Sequence, residues 1–350
     1  MTRTPGDSTV SVHGPPLDDG ACAAASHESL SDATLPALME LVEESATVTP
    51  EVPAGGDADV QNESPAGPQA DPAAEARWVP WWGGVLALLV GGFMSQLMGA
   101  IPLVIGAFIW IADHVDDGPP NVERMMLELT HNFWVLGPSI LITGGTMALV
   151  AVGTAMIAKV PVRRALGLRG APWPTFLAAP VGILALGPTS DFLHRMMQEH
   201  LPWATLGALE GLDEIARSAP IYLVLPAMAL TPGFAEEILF RGAFQRSIRT
   251  GWLAVFLSGL LFSCYHMDPQ HVVAVLPLGF YLAFLGQRTK SLAVPITGHV
   301  FNNAAAVIAS VYFAEEAADE VLDWWWMPIG WLICGACVAL VWWTTRNVED

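Results

Sequence analysis

Ionisable side chains are rare in the apolar part of this chain, and the few present fall at spacings suited to proton-transfer chemistry. The segment Thr231-Pro-Gly-Phe-Ala-Glu-Glu-Ile-Leu-Phe-Arg-Gly242 puts Glu236, Glu237 and Arg241 within six residues of otherwise apolar sequence. On a helix Glu237 and Arg241 are i,i+4 and can pair along one face. Glu236 is turned about 100° from Glu237 and is left free to face a cavity. Two further motifs follow, Phe262-Ser-Cys-Tyr-His266 and His299-Val-Phe-Asn-Asn303. His299 and Asn303 share a helical face, so both can aim at one point. An ionisable group at bilayer depth costs several kcal/mol unless paired or hydrated, which makes each a functional candidate. The structural alternative is an ion cluster tying helices together, with each His a hydrogen-bonded packing residue and Asn302 or Asn303 a bridge between helices.

The elements that carry these residues follow from composition. The 350-residue chain is 53% hydrophobic and 14% charged, with mean hydropathy +0.45, values of a membrane protein rather than a soluble domain. Counting apolar stretches long enough to span predicts an all-α polytopic membrane helical bundle of about eight transmembrane helices. They fall at 81–112, 133–158, 172–190, 220–245, 252–267, 271–287, 291–313 and 324–344. Every second connection is basic: Lys159, Arg163, Arg164 and Arg169; Arg246 and Arg249; Arg288 and Lys290; Arg346. The intervening loops are acidic, with Asp113 to Glu123, Glu210 to Glu214 and Glu315 to Asp323. Cations favour the cytoplasmic side, so both termini are expected there, in an integral multi-pass protein of the plasma (inner) membrane. Trp81, Trp82, Trp324 to Trp326, Trp342 and Trp343 fall at span ends, where indoles anchor at headgroup depth.

Depth arithmetic brings the polar residues together. Spans four and five form a hairpin turning near Arg249 to Gly251; Glu236 lies 13 residues before the turn and His266 lies 15 after it. At 1.5 Å per residue the arms reach roughly 20 and 22 Å. His299 lies about 12 Å from the start of its span, so the heights agree if the hairpin protrudes by more than one helical turn.

Residues 1–77 are different, carrying 14 acids, two bases and no Trp, Tyr or Phe. Such a tail buries too little apolar surface to offset its ordering entropy and is expected to be a disordered acidic cytoplasmic tail, ahead of a transmembrane domain at 78–350. Residues 35–44 have helical apolar spacing after Ser31 and Asp32 and are expected to form a transient helix with no partner, the alternative being a short docking element. A formal net charge of -19 argues against a nucleic-acid partner. Cys22, Cys264, Cys334 and Cys337 fit neither a disulfide framework nor paired zinc knuckles, and the last two read as small packing residues.

The order Glu-Glu-x-x-x-Arg, Phe-x-x-x-His, His-x-x-x-Asn on successive hydrophobic helices resembles the CPBP family of intramembrane peptidases. That family includes type II CAAX prenyl endopeptidases and bacterial relatives linked to bacteriocin processing and self-immunity. Arg164-Ala-Leu-Gly-Leu-Arg169 and Arg288-Thr-Lys-Ser-Leu292 are also similar to it, so the family-like core covers about 160–313. The resemblance implies an intramembrane endopeptidase acting on a membrane-associated or lipidated substrate, by CAAX-type processing or similar. Its catalytic residues would be Glu236 as general base with His266 on a water, and His299 with Asn303 as oxyanion donors. Glu237 and Arg241 would give structural support. Membrane lipids and a peptide or lipidated protein are the implied partners.

No cofactor is favoured. If zinc were bound, Glu236, His266 and His299 would be its ligands, but HExxH is absent and each comes from a different helix. A binding or immunity protein on the same fold, cleaving nothing, is the main alternative. A proton-coupled transporter fits less well, because neither internal repeats nor paired broken helices are found. Removing residues 1–70 should leave the membrane domain folded, with the yield of monodisperse detergent-solubilised protein unchanged; loss of that protein would place the tail in the core.

Overall fold

A computed structural model describes residues 78–205, 212–249, 251–313 and 324–348. The expected tail at 1–77, its 35–44 helix, Cys22, Glu210 and the acidic loop at 315–323 lie outside these residues. The described residues are helical without strand. They comprise α1 Trp81–Asp113, α2 Val122–Thr130, α3 Phe133–Ile157, α4 Val162–Ala165, α5 Trp173–Ala185 and α6 Gly187–His200. Then come α7 Leu212–Arg217, α8 Ile221–Ile248, α9 Gly251–Tyr265, α10 Pro269–Thr289, α11 Ala293–Tyr312 and α12 Trp326–Thr344. Seven of the helical stretches, with α5 and α6 counted as one, are long and apolar enough to cross a membrane. Their outward faces carry exposed Leu, Ile, Phe and Trp, and the chain is an integral multi-pass membrane protein.

The fifth expected span is corrected. α9 has 15 residues, or about 22 Å, short of a ~30 Å hydrocarbon core. Local sequence explains why it stops. Met267 takes a left-handed φ of 60°, and the Asp268 carboxylate accepts from the amides of Gln270 and His271, capping α10, which begins at Pro269. His266 therefore sits on a turn and not inside a helix. Short as it is, α9 still reverses the chain.

The basic loops gather at one end of the bundle. The guanidinium groups of Arg164, Arg249 and Arg246 stand 4.9, 5.4 and 5.7 Å from the Trp78 ring centroid, and Arg246 also donates to the Lys290 carbonyl. At this end the two family-like stretches meet: the Leu292 amide donates to the Gly167 carbonyl at 3.0 Å, and Ser291 Oγ donates to the Arg169 carbonyl at 2.6 Å. Gly167 holds φ 70°, which favours glycine. Contacts near the other end join His131 to Glu214 and Arg217 to the Ser310 carbonyl.

α8 lies at the centre. Leu239 and Phe240 are fully buried among Ala87 of α1, Met147 and Ala151 of α3, and Phe262 of α9. A second cluster joins α5, α10 and α12 through residues such as Ile183, Leu282, Cys334 and Val341. Cys334 and Cys337 are buried free thiols, as their packing role requires.

Gly233 lets α8 approach α11 one turn before Glu236. A Cβ there would lie 2.6 Å from Val300 Cγ2 and 3.1 Å from Val300 Cα, whereas one at Gly145 would meet open space. Gly233→Ala should therefore destabilise the detergent-solubilised protein by about 1–3 kcal/mol, and Gly145→Ala by less than about 0.5 kcal/mol. Equal unfolding midpoints for the two variants would contradict the packing assigned here.

Candidate active site

α8 is a single 28-residue helix with an α-helical centre, Thr231–Glu237, between two wider i→i+5 segments, Leu225–Leu230 and Ile238–Gln245. Pro232 accounts for the first. It lacks an amide donor, and its ring would clash with the carbonyl four residues earlier, so the turn opens and Thr231 N–H bonds the Pro226 carbonyl instead. Thr231 Oγ1 adds a second bond to that carbonyl at 2.8 Å. Such wide turns recur at functional sites because they re-aim neighbouring side chains.

The two adjacent acids enter different environments. Glu237 is fully buried, and its Oε1 accepts from Arg241 Nη1 at 2.8 Å. Arg241, 2% exposed, spends a second guanidinium nitrogen on the Gly279 carbonyl of α10 at 3.0 Å and lies 4.2 Å from the Phe262 ring centroid. One helical turn on, Gln245 Nε2 donates to the Ala283 carbonyl at 2.8 Å. Glu237, Arg241 and Gln245 thus form a polar stripe of period four that fastens α8 to α10. Glu237 faces Arg241 as expected; the role of Gln245 was not anticipated, although its position four residues after Arg241 is a readable signal.

His299 sits between the acids. Its Nδ1 is 3.0 Å from Glu237 Oε1 and its Nε2 is 3.9 Å from Glu236 Oε2. An ionised carboxylate can only accept, so Nδ1 carries the proton toward Glu237. Nε2 is then a donor toward Glu236 only when the ring is protonated. Glu236 Oε2 is buried without a hydrogen-bond partner, the arrangement expected of a group reserved for water or substrate.

His266 Nδ1 is 3.2 Å from the Phe262 carbonyl, an acceptor, which leaves its Nε2 with a free lone pair in the neutral ring. The Phe262 ring meets both histidines edge to face, with centroids 5.3 Å from His266 and 5.5 Å from His299. Phe262 therefore spaces the two imidazoles while its face receives Arg241. Asn303 Oδ1 accepts from Asn302 Nδ2 at 3.3 Å, leaving its own amide N–H groups available.

Glu236, His266, His299 and Asn303 all border one cavity of about 660 Å³, enclosed mainly by apolar side chains from α1, α3, α5 and α8 to α11. Asn302 lines it too, and so do polar residues not singled out in the sequence, among them Tyr265, whose hydroxyl meets Ser95 and Gln96, and His271, whose ring is 4.5 Å from that of His266. His271 follows His266 by five residues, across a turn that helical spacing does not reveal.

Among the described residues no three His, Cys, Asp or Glu side chains are grouped as a metal ion needs. Of the candidate zinc ligands, His299 spends Nδ1 on Glu237 and His266 spends Nδ1 on a backbone carbonyl, so each ring would have only Nε2 to offer a metal.

Residues 218–305 match the family model "Type II CAAX prenyl endopeptidase Rce1-like". That segment runs from the start of α8 to Asn303 and beyond, and holds all three motifs. A Bacillus subtilis (strain 168) protein named "Putative membrane peptidase YdiL" is 29% identical over 103 residues, which are 28% of this chain and 41% of the relative. The chain thus matches less than half the relative's length. No solved structure matches it. The resemblance seen in the motifs is shown for the segment that carries them: residues 218–305 form an Rce1-like domain.

The buried pair generates a stability prediction. Arg241→Met strands the Glu237 carboxylate and should cost about 3–5 kcal/mol. Arg241→Met with Glu237→Leu should regain most of that loss. Unfolding of both variants in detergent checks this, and a single variant as stable as wild type would remove the pair from its structural role.

Proposed function

We propose that the protein is an intramembrane endopeptidase of CAAX type, hydrolysing a peptide bond of a membrane-associated or lipidated substrate. The observation that carries this reading is the buried, unpartnered Glu236 oxygen, in a cavity that also receives His266 and Asn303. A water held between Glu236 and His266 Nε2 gives its proton to the Glu236 carboxylate while its oxygen attacks the scissile carbonyl. Negative charge develops on that carbonyl oxygen, and the Asn303 amide donates to it. His299 adds a second donor in its protonated form, with the ring held in place by Glu237. Collapse of the tetrahedral intermediate breaks the C–N bond, and the proton held by Glu236 passes to the leaving amine. No metal takes part, and the apolar walls favour hydrophobic residues on either side of the scissile bond. The chain resides in the plasma (inner) membrane with the basic end of the bundle, and both termini, in the cytoplasm.

The test uses the full chain in proteoliposomes with a library of membrane-anchored and prenylated peptides, and cleavage is read by mass spectrometry. Wild type should cut a subset. His266→Ala should lower the rate by about 10²–10⁴-fold, Asn303→Ala by about 10²–10³-fold, and prolonged chelation should leave it unchanged. Absence of cleavage across the library would favour a non-proteolytic binding protein. Activity lost on chelation and restored by zinc would overturn the metal-free chemistry.

A further inference from the structure

The reactive cavity is asymmetric along the axis of the bundle. The helices that line it have marked ends, because α1, α9 and α11 start beside the basic loops and α3, α8 and α10 finish there. Lining residues near that end are covered: Met147 of α3, Phe262 of α9, Leu282 of α10 and His299 of α11 are each at most 6% exposed. Every exposed residue of the described lining lies further along, namely Gln96 of α1, Met267 of the α9–α10 turn and Ala306 of α11. Counted at 1.5 Å per residue from the basic ends of their helices, the four covered residues stand at roughly 9–17 Å and the three exposed ones at roughly 20–24 Å. Leu136, in the first turn of α3 at the other end, is partly exposed as well.

Toward the basic end the way from Glu236 is filled. Leu239 and Phe240, on the next turn of α8, are fully buried, and so is Val294, five residues before His299. Beyond them Arg241 and Gln245 are bonded across to carbonyls of α10. A small pocket of about 100 Å³, bordered by Trp78, Arg241 and Arg249 at this end, shares no lining residue with the reactive cavity. A polypeptide could pass this layer only by parting α8 from α10, and that would strip the buried guanidinium of its carbonyl partner.

We infer that substrate and water reach Glu236 from the end of the bundle opposite the basic loops, and that the bond cut belongs to a peptide segment held at the non-cytoplasmic face of the membrane. The inference rests on the peptidase reading above and on the orientation that loop charge gives the basic end. It narrows the substrate class to exported peptides and to the outward flanks of membrane-spanning segments. A segment entering from there lays apolar side chains against Leu136, Ile140 and Met228 on its way to the polar floor, where Asn303 and His266 stand.

Sided thiol labelling of the full chain in sealed right-side-out vesicles tests the direction, with a permanently charged, membrane-impermeant methanethiosulfonate and peptide mass spectrometry to locate the label. Val115→Cys, in the exposed turn after α1, reports one face, and Arg163→Cys, in a basic loop, reports the other. Ala306→Cys should be labelled from outside together with Val115→Cys, and Arg163→Cys only after lysis. The adduct at Ala306→Cys should lower cleavage by about tenfold or more. Single-span peptides inserted in either orientation, with the cleavable segment on one flank, should be cut only where that flank lies on the Val115 face. Each variant's unfolding midpoint serves as the folding control. Labelling of Arg163→Cys from outside, failure to label Ala306→Cys from the Val115 face, or cleavage confined to the Arg163 face would each overturn the inference. Cleavage of neither flank, with labelling as expected, would instead remove the peptidase reading on which it rests.

Discussion

A buried ion pair on an apolar helix constrains everything around it. Arg241 cannot lose its proton and has almost no contact with solvent, so its charge must be answered inside the protein. Glu237 answers one donor, the Gly279 carbonyl another, and the Phe262 face covers the plane. The Gly279 bond ties α8 to α10, and the ring contact sets Phe262 against α8. The same Glu237 oxygen then receives His299 from α11. One guanidinium thereby fixes the relative placement of the helices that bring Glu236, His266 and Asn303 to a common cavity.

The division of labour between two identical neighbours follows from helix geometry. Glu237 points at cations and hydrogen-bond donors and is committed to structure. Glu236, turned about 100° away, opens on a cavity that Glu237 does not line, although each acid has a buried Oε2 with no hydrogen-bond partner. The fold thus places a carboxylate that faces the cavity beside a second one that is committed to Arg241 and His299. His299 joins them, fastened on one ring nitrogen and exposed to Glu236 on the other.

Much of this was legible in the sequence, because charged residues in an apolar run have few choices. The Glu237–Arg241 pair, the outward turn of Glu236, seven of the eight expected spans and the gathering of basic loops at one end all follow from helical spacing and loop charge. What was not legible depends on breaks in that spacing. The wide turn before Pro232 arises from a missing donor and a ring clash, and a uniform helix assumption cannot register it. α9 ends early because Asp268 and Pro269 start a new helix, which moves His266 onto a turn and brings His271 alongside it. Gln245 and Tyr265 find partners on other helices, Ala283 on α10 and Ser95 with Gln96 on α1, and such pairings depend on three-dimensional register.

The central claim is that adjacent, chemically identical acids hold separate roles, and side-by-side replacement of each by its amide tests it most directly. Glu236→Gln and Glu237→Gln would be reconstituted in lipid, and for each the thermal midpoint and the single-turnover cleavage rate would be measured. The account predicts a wild-type midpoint with cleavage abolished for Glu236→Gln, and a clearly lowered midpoint for Glu237→Gln. The reverse pattern, with Glu237→Gln stable but inactive and Glu236→Gln still cleaving, would contradict it.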